Sequence, residues 1–580
     1  MFGTTSADQV VGEPWTEGLR MPPIAEVADT AIESVAGQPT YAGRIGDTVR
    51  SRERYLVIFL FIFSFAYLSL FRHVTSMEPD EGILLQGAQR ILVGQVLYRD
   101  FFSFYTPGSY YFLTLLFRVF GSSIIVARSF LALAGALLSL LTYLLARRVC
   151  SRRVALTFAV LTTLTTLPYR FLVLHNWDST LWACLALYSA IRVVEQGQTK
   201  WAFLLGFFVS ITTLFEQSKG AGLCIGLLGG FALIYALKLR PLFNRWHVYA
   251  AMLGFALPLT ITIAYFIRQH AFASMIADWL WPLQHYSGAN RVPYGYQNWS
   301  DETRHLLFGT GSFAQRLITG FVISPCFWIP VLPLLATGIM ICSVMKSWRA
   351  RQCDQRSAYY ILVTTCISGL LVATVVARAD IIHLMYLQPL NCLVLAWICD
   401  GRDIPGELLG RIRRVWNPYS VTALMLFALV PLLGALSAKN RVNTRHGAIA
   451  TRSEDTVINY VQARVPVGEQ ILVYPYLPLY YYATGTFSPS RFDYLQPGMH
   501  TNEQANSMIA DLERQRTRVV LFESGFSQKI PHSWPATSVN ALTQDPVGDY
   551  IVRNYRMCQA LTSPLQWRFL YMVRKDTPCT

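Results

Sequence analysis

At 580 residues the chain has room for about four ordinary domains, yet its composition is not that of a soluble protein. Only 14% of the residues are charged, 53% are hydrophobic and the mean hydropathy is +0.34, where a soluble chain carries roughly 25% charge. That much apolar surface has to face lipid, which excludes a soluble enzyme, a disordered protein and a fibrous one, and the net charge of +15 then belongs to loops on one side of a membrane rather than to nucleic acid.

Residues 1–54 are polar, contain Pro and Gly, and have no apolar core of a signal peptide; they read as a disordered cytoplasmic tail. Eleven segments then have the length and apolarity of a membrane span: 55–71, 122–145, 154–172, 178–194, 201–216, 219–238, 247–267, 319–345, 358–377, 384–399 and 418–437. The Arg and Lys clusters set the orientation. Arg50, Arg52 and Arg54, then Arg147, Arg148, Arg152 and Arg153, then Lys238, Arg240 and Arg245 all fall on one side. So do Lys346, Arg349, Arg351 and Arg356, and finally Arg411, Arg413 and Arg414. This expectation puts the N-terminus inside.

Residues 106–120 (TPGSYYFLTLLFRVF) look like a twelfth span. Counting them would move the 147–153 arginines outside, so they are expected as an interfacial or re-entrant helix on the outer surface. Three outer regions are therefore long: 72–121, 268–318 and 438–580. The last has no further span and alternates helical and strand patterns: helices at 454–464 and 502–515, strands at 470–475 and 518–523. The expected architecture is an α-helical polytopic membrane part over 55–437 followed by a small extracytoplasmic α/β domain over 438–580. Most cysteines sit in apolar segments, where Cys is a small hydrophobe. Cys558 and Cys579 lie in the outer region, where a disulfide between them is chemically allowed.

The stretch richest in reactive groups follows the first span: Met77-Glu78-Pro79-Asp80-Glu81-Gly82. Asp80 has the position of a helix cap and the chemistry of a general base, and the residues alone leave both open. His175-Asn176-Trp177-Asp178 opens the fourth span, where Asp178 has the position of an N-cap. Lys219, in Glu216-Gln217-Ser218-Lys219-Gly220, needs an anionic partner at membrane depth; Glu216 and a lipid-linked phosphate both qualify. Arg378-Ala379-Asp380 and His383 join the ninth and tenth spans, with Arg378 either paired to Asp380 or offered, like His383, to a phosphate or sugar. Asn298-Trp299-Ser300 matches a glycosylation sequon, a chance match in a bacterial host. There is no P-loop, and no Asp-x-Asp site is evident on the cytoplasmic side.

The order of these motifs resembles the integral-membrane glycosyltransferases of the GT-C superfamily, and most closely the bacterial proteins related to protein O-mannosyltransferases and lipid A aminoarabinose transferase. The matching residues are Asp80-Glu81, Gly94-Gln95-Val96-Leu97-Tyr98-Arg99-Asp100, Pro107-Gly108-Ser109-Tyr110-Tyr111 and Ala127-Arg128-Ser129. The likeness is strong over roughly 55–240 and rests on topology beyond that. It implies a polyprenyl-phosphate-sugar donor used on the outer face of the inner (plasma) membrane. Asp80 is then the base, Glu81 and Asp178 orient the acceptor or tune Asp80, and Arg128, Lys219, Arg378 and His383 serve the phosphate. Tyr110 and the other aromatics at 101–111 and 281–299 have two uses, stacking on sugars or forming the interfacial belt. No metal is assigned, although Glu78, Asp80, Asp178 and His175 offer ligands for a divalent ion and the superfamily differs on this point. The acceptor is a lipid, a polysaccharide or a protein. The competing readings are a polymerase or ligase using lipid-diphosphate glycans, and a transporter or flippase for a lipid-linked sugar.

Overall fold

The computed structural model describes residues 41–239, 244–297, 301–349, 355–401 and 407–579. The 298–300 sequon and the first 40 residues of the expected tail lie outside the described residues. The chain divides into two units, Met1–Phe59 and Leu60–Thr580. The described part of the first is the start of helix α1 (Tyr41–Ser69), which is helical from residue 41 rather than from 55. All that follows concerns the second unit.

The chain is mostly helical. After α1 come α2 (Pro79–Leu92), α3 (Gly108–Phe120), α4 (Ile124–Val149), α5 (Arg152–Thr165), α6 (His175–Gln196), α7 (Thr199–Phe215), α8 (Gln217–Ala236) and α9 (Arg245–Arg268). Among the described residues five helical stretches are long and apolar enough to cross a membrane: Ile124–Val149, Gln217–Ala236, Arg245–Arg268, Arg356–Ala377 and Gly410–Leu436. Helix α3, the stretch expected to lie at the interface, has 13 residues. At 1.5 Å per residue it is about 20 Å long, short of the ~30 Å hydrocarbon core.

Three expected spans are corrected: 384–399 starts in a short helix, Ile381–Met385, and resumes after a turn as Gln388–Asp400, and two others are broken as well. Residues 154–172 do not form one helix: α5 stops at Thr165, and Pro168 opens a 3₁₀ turn, Leu167–Arg170. Residues 319–345 are divided among α12, α13 and α14. Here α10 (Phe272–Trp281) and α11 (Asp301–Phe308) precede α12 (Phe313–Ile323), α13 (Pro325–Trp328) and α14 (Leu332–Arg349). Pro325 and Pro330 lie at the two breaks, where a continuing helix would need their missing N–H groups. Helices α15 (Gln355–Ala377), α16 (Ile381–Met385), α17 (Gln388–Asp400) and α18 (Glu407–Leu436) complete the bundle.

The packing is that of a protein dissolved in lipid. A Cβ at Gly206 of α7 would lie 1.9 Å from the Ala251 carbonyl of α9, and one at Gly222 of α8 would lie 2.3 Å from the Gly369 carbonyl of α15. Small residues therefore bring the backbones together, as in membrane helix pairs. Helix α9 turns its Gly254 inward, while Met252, Leu253, Leu257 and Ile261 are exposed. A helix that hides glycine and shows leucine is solvated by hydrocarbon. This is a multi-pass membrane protein.

The C-terminal segment carries the small sheets. Strands β1 (Asn440–Thr444) and β2 (Gly447–Thr451) form a hairpin that joins the chain leaving α1: Thr75 N–H donates to the Ala450 carbonyl at 2.9 Å, and Ala450 N–H to His73 at 2.7 Å. Then follow α19 (Thr456–Arg464), β3 (Leu472–Tyr474), α20 (Leu479–Thr484), α21 (Asn502–Arg514) and β4 (Val519–Glu523). Helices α22 (Phe526–Ser533), α23 (Val539–Thr543) and α24 (Pro546–Asn554) lead to β5 (Tyr555–Thr562) and β6 (Arg568–Arg574). The sheet order is β3-β4-β6-β5, with β3 and β4 parallel and the other pairs antiparallel. The carboxyl ends of the two parallel strands lead to Tyr476 and Phe526, whose rings pack together. Cys558 and Cys579 are joined by a disulfide. Helix α20 lies directly on α2, so closely that a Cβ at Gly82 would come 2.0 Å from the Leu479 backbone nitrogen.

Candidate active site

The site is built on the first turn of α2. Pro79 at its first position has no N–H to leave unpaired, and Asp80 and Glu81 place negative charge at the positive end of the helix. Neighbouring positions on a helix differ by about 100°, so the two acids point in different directions.

Glu81 points inward. Arg128 grips it with both arms, Nε to Oε1 at 2.9 Å and Nη2 to Oε2 at 2.6 Å, and both side chains are 0% exposed. Val173 N–H also donates to Glu81 Oε1 at 3.1 Å. Arg128 spends its third nitrogen on the carbonyls of Arg72, at 3.3 Å, and Val74, at 2.6 Å. Its donors are thus taken up inside the protein, and the pair ties α4 to α2 and to the exit of α1.

Asp80 points outward and keeps 34% of its side-chain surface. Arg170 Nη2 donates to its Oδ2 at 2.7 Å, and the Tyr476 hydroxyl donates to its Oδ1 at 3.0 Å. The other arm of Arg170 meets Glu78 Oε2 at 2.9 Å. Arg170 is held in turn by its backbone, whose carbonyl accepts from Trp177 Nε1 at 3.1 Å.

Next to this trio stands His175, the first residue of α6, with its ring on Tyr105 at 4.2 Å. Its buried Nδ1 has no hydrogen-bond partner among the described residues. Asp178, one turn on, accepts from Ser109 Oγ at 2.9 Å and belongs to the α3 contact rather than to Asp80. Lys219 is 2% exposed and pairs with Glu216 Oε2 at 3.1 Å; it also donates to the Asn176 carbonyl at 2.9 Å and to Ser179 and Thr180, each at 3.2 Å. Glu216 is its acidic partner within the chain.

A second acid anchors the other wall. Asp380 caps α16, accepting from His383 N–H at 2.9 Å and bonding His383 Nδ1 at 2.6 Å, and Arg378 Nε donates to its Oδ2 at 2.6 Å. Burial pushes Asp380 up, but His383 and Arg378 outweigh it and hold the carboxyl well below the usual carboxylate range. Arg378 also donates to Asn290 Oδ1 at 2.7 Å and to the Ser533 carbonyl, linking the long loop before α11 to the C-terminal segment. The His383 side chain keeps 33% of its surface. Arg170 lies within electrostatic reach of Asp380, and His175 within reach of both His383 and Asp80.

The aromatics pack chiefly on one another. Tyr110 is buried, with its hydroxyl 3.0 Å from Ser103 Oγ and its ring against Phe101. Phe104 stacks on Trp281 at 5.8 Å, and a continuous run of rings, Tyr476, Tyr494, Phe104, Tyr105, leads from Asp80 to His175. Beneath it, burial pushes Asp278 up to about 7 against the opposing charge of Arg491, 3.7 Å away; Ser103 N–H donates to it at 3.3 Å. The folded state therefore holds a proton on Asp278 that the unfolded chain releases, and stability falls as pH rises from about 4 through 7. Asp278→Asn keeps an oxygen for Ser103 and removes this loss. Thermal unfolding at pH 5 and pH 8 should show the variant gaining on wild type at the higher pH, by up to about 3 kcal/mol.

Sequence reasoning missed Arg170 and Tyr476, the two partners of Asp80. Pro168 was the available signal for the first; nothing local marks the second. Among the described residues no group of three His, Cys, Asp or Glu side chains is placed to hold a metal ion.

Residues 105–266 match the family model described as dolichyl-phosphate-mannose-protein mannosyltransferase. Over that segment the chain resembles the GT-C membrane glycosyltransferases, as its motifs imply. The match contains Tyr110, Arg128, Asp178 and Lys219, and stops short of Asp80, Arg378 and His383. No curated protein matches. Solved structures that are similar include the Archaeoglobus fulgidus oligosaccharyltransferase in complex with zinc and sulfate, at 12% identity, 88% of this chain, 72% of that one and a TM-score of 0.49. ArnT from Cupriavidus metallidurans in the apo state has 11% identity over 90% of this chain and 98% of that one, with a TM-score of 0.49. The same protein bound to undecaprenyl phosphate has 10% identity, coverages of 91% and 99%, and a TM-score of 0.47.

Proposed function

We propose that this protein is a membrane glycosyltransferase that moves a sugar from a polyprenyl-phosphate donor to an acceptor on the outer face of the membrane, with inversion and with Asp80 as general base. The observation that carries the reading is the contrast between two adjacent acids. Glu81 is consumed by Arg128, whereas Asp80 remains open to solvent with each oxygen fixed by one donor and lone pairs left over. A carboxylate so held can accept a proton from an incoming hydroxyl or amine. The acceptor oxygen or nitrogen then bonds to the anomeric carbon from the face opposite the phosphate. The bond between that carbon and the phosphate oxygen breaks, the proton rests on Asp80, and polyprenyl phosphate departs with the electron pair.

Positive charge for the leaving phosphate is available at Arg170, Lys219 and Arg378, with His383 as a further hydrogen-bonding group; each of the three cations already holds an acid, Asp80, Glu216 and Asp380 in turn, and would share itself with the phosphate, whereas Arg128 is enclosed with Glu81. An apolar groove of about 760 Å³ between α8, α14 and α15, lined by Ile225, Leu233, Met340 and Val372, starts at Ser218 beside Lys219 and suits an extended hydrocarbon chain. The matching family's name, with its dolichyl-phosphate-mannose donor, agrees with a lipid monophosphate. The same reading puts the N-terminus in the cytoplasm and the C-terminal segment outside, as the positive clusters require.

The test is label transfer by the purified protein in nanodiscs, with radiolabelled polyprenyl-monophosphate sugars, polyprenyl-diphosphate oligosaccharides and host membrane extract as acceptor. We expect monosaccharide label from a monophosphate donor in a new product. Transfer only from diphosphate glycans would make the protein a polymerase or ligase. Scrambling of the lipid-linked sugar across liposomes without transfer would make it a flippase.

A further inference from the structure

We infer that Tyr476, which the C-terminal segment delivers, is a positioning residue for Asp80. The inference rests on Asp80 being the base. Its geometric ground is a division of labour at one carboxylate: Arg170 fixes Oδ2 at 2.7 Å and the Tyr476 hydroxyl fixes Oδ1 at 3.0 Å. Two donors from different parts of the chain set the plane of the carboxyl group, and so the direction in which its remaining lone pairs face an acceptor.

Tyr476 is built to hold that hydroxyl still. It lies two residues beyond β3, is 6% exposed, and its ring is boxed by Tyr494, Phe526 and Trp534 at 6.4, 6.4 and 5.7 Å. Its φ of 54° is in the left-handed region, which an aromatic residue adopts only when its surroundings impose it. Three residues later Leu479 abuts Gly82 without room for a Cβ, so the α2 turn that carries Asp80 and the loop that carries Tyr476 are in fixed register. Trp534 continues the contact to Arg378, whose guanidinium lies 5.7 Å over its ring. The C-terminal segment thereby reaches both walls of the site. A base aligned in this way works only while that segment is docked.

Tyr476→Phe removes the hydroxyl and keeps the ring. The kcat for sugar transfer should fall about tenfold or more, the loss expected for one hydrogen bond to a charged group. KM for donor and acceptor should change less than about twofold, because no substrate contact is removed. Rates are taken on the monodisperse fraction whose donor affinity equals that of wild type, which removes any folding defect from the comparison. On an Asp80→Asn background the same substitution should cost nothing more. A Tyr476→Phe protein with wild-type kcat, beside an inactive Asp80→Asn, would overturn this inference and leave the base intact. An Asp80→Asn protein with full activity would overturn both.

Discussion

Asp80→Asn should lower the rate of sugar transfer by about 10³-fold, the middle of the range for a general base, with the fold and donor binding preserved. The substitution is nearly isosteric. Asn retains one oxygen for Arg170 or Tyr476, so the turn of α2 should stand. What it loses is the ability to take a proton from the acceptor. Initial rates at saturating donor, with donor affinity measured separately, distinguish this from a binding defect: kcat falls and KM does not rise. Equal rates for the variant and wild type would reduce Asp80 to a residue of the helix terminus.

Arg128→Met should be the most destabilising change at the site, and for a different reason. It leaves the Glu81 carboxyl at 0% exposure without its cation and with one backbone N–H as its remaining donor. Breaking a buried pair from one side typically costs about 3–5 kcal/mol. The Arg72 and Val74 carbonyls lose their donor as well. Replacing both partners, Glu81→Met with Arg128→Met, should recover much of the loss, because an apolar pair leaves no buried charge. Thermal unfolding of wild type, the two single variants and the double variant in one detergent checks this. A phosphate-binding Arg128 would behave otherwise: the single variant would melt as wild type does and its KM for donor would rise.

These two residues show how far a single sequence reaches. The acidic turn after the first span and the short α3 helix are legible because Pro79 and the arginine count act locally, while the Ala127-Arg128-Ser129 entry to α4 comes from the family resemblance. Which acid faces the site is not legible. Positions 80 and 81 differ only in direction, and direction is set by packing against α4 and α20. The Lys219–Glu216 and Arg378–Asp380 pairs, which the sequence offers beside a phosphate because the partners are three and two positions apart, both form; the Arg128–Glu81 pair, 47 positions apart, leaves no local signal. Arg170 was hidden in the apolar run LTTLTTLPYRFLVL, where Pro168 marked the end of the helix but the hydropathy continued. Tyr476 meets Asp80 across 396 positions of sequence, a contact that no local pattern records.

In the C-terminal segment the helices near 456–464 and 502–514 and the strands near 472–474 and 519–523 fall where their periodicity placed them. The β1–β2 hairpin and the β5 and β6 strands were not anticipated. The hairpin is anchored to residues 73–75, and β6 takes its register from β4, so both depend on distant partners.

The most direct test of the account is a stoichiometric one. Wild type and Asp80→Asn in nanodiscs are given a doubly labelled polyprenyl-monophosphate sugar, with one label in the sugar and one in the lipid, together with acceptor extract. Free polyprenyl phosphate and glycosylated acceptor are then counted. Wild type should release one lipid phosphate for each sugar transferred, and the variant should release neither product above background. Transfer by Asp80→Asn at the wild-type rate would contradict the account, as would turnover of the donor with no sugar reaching any acceptor.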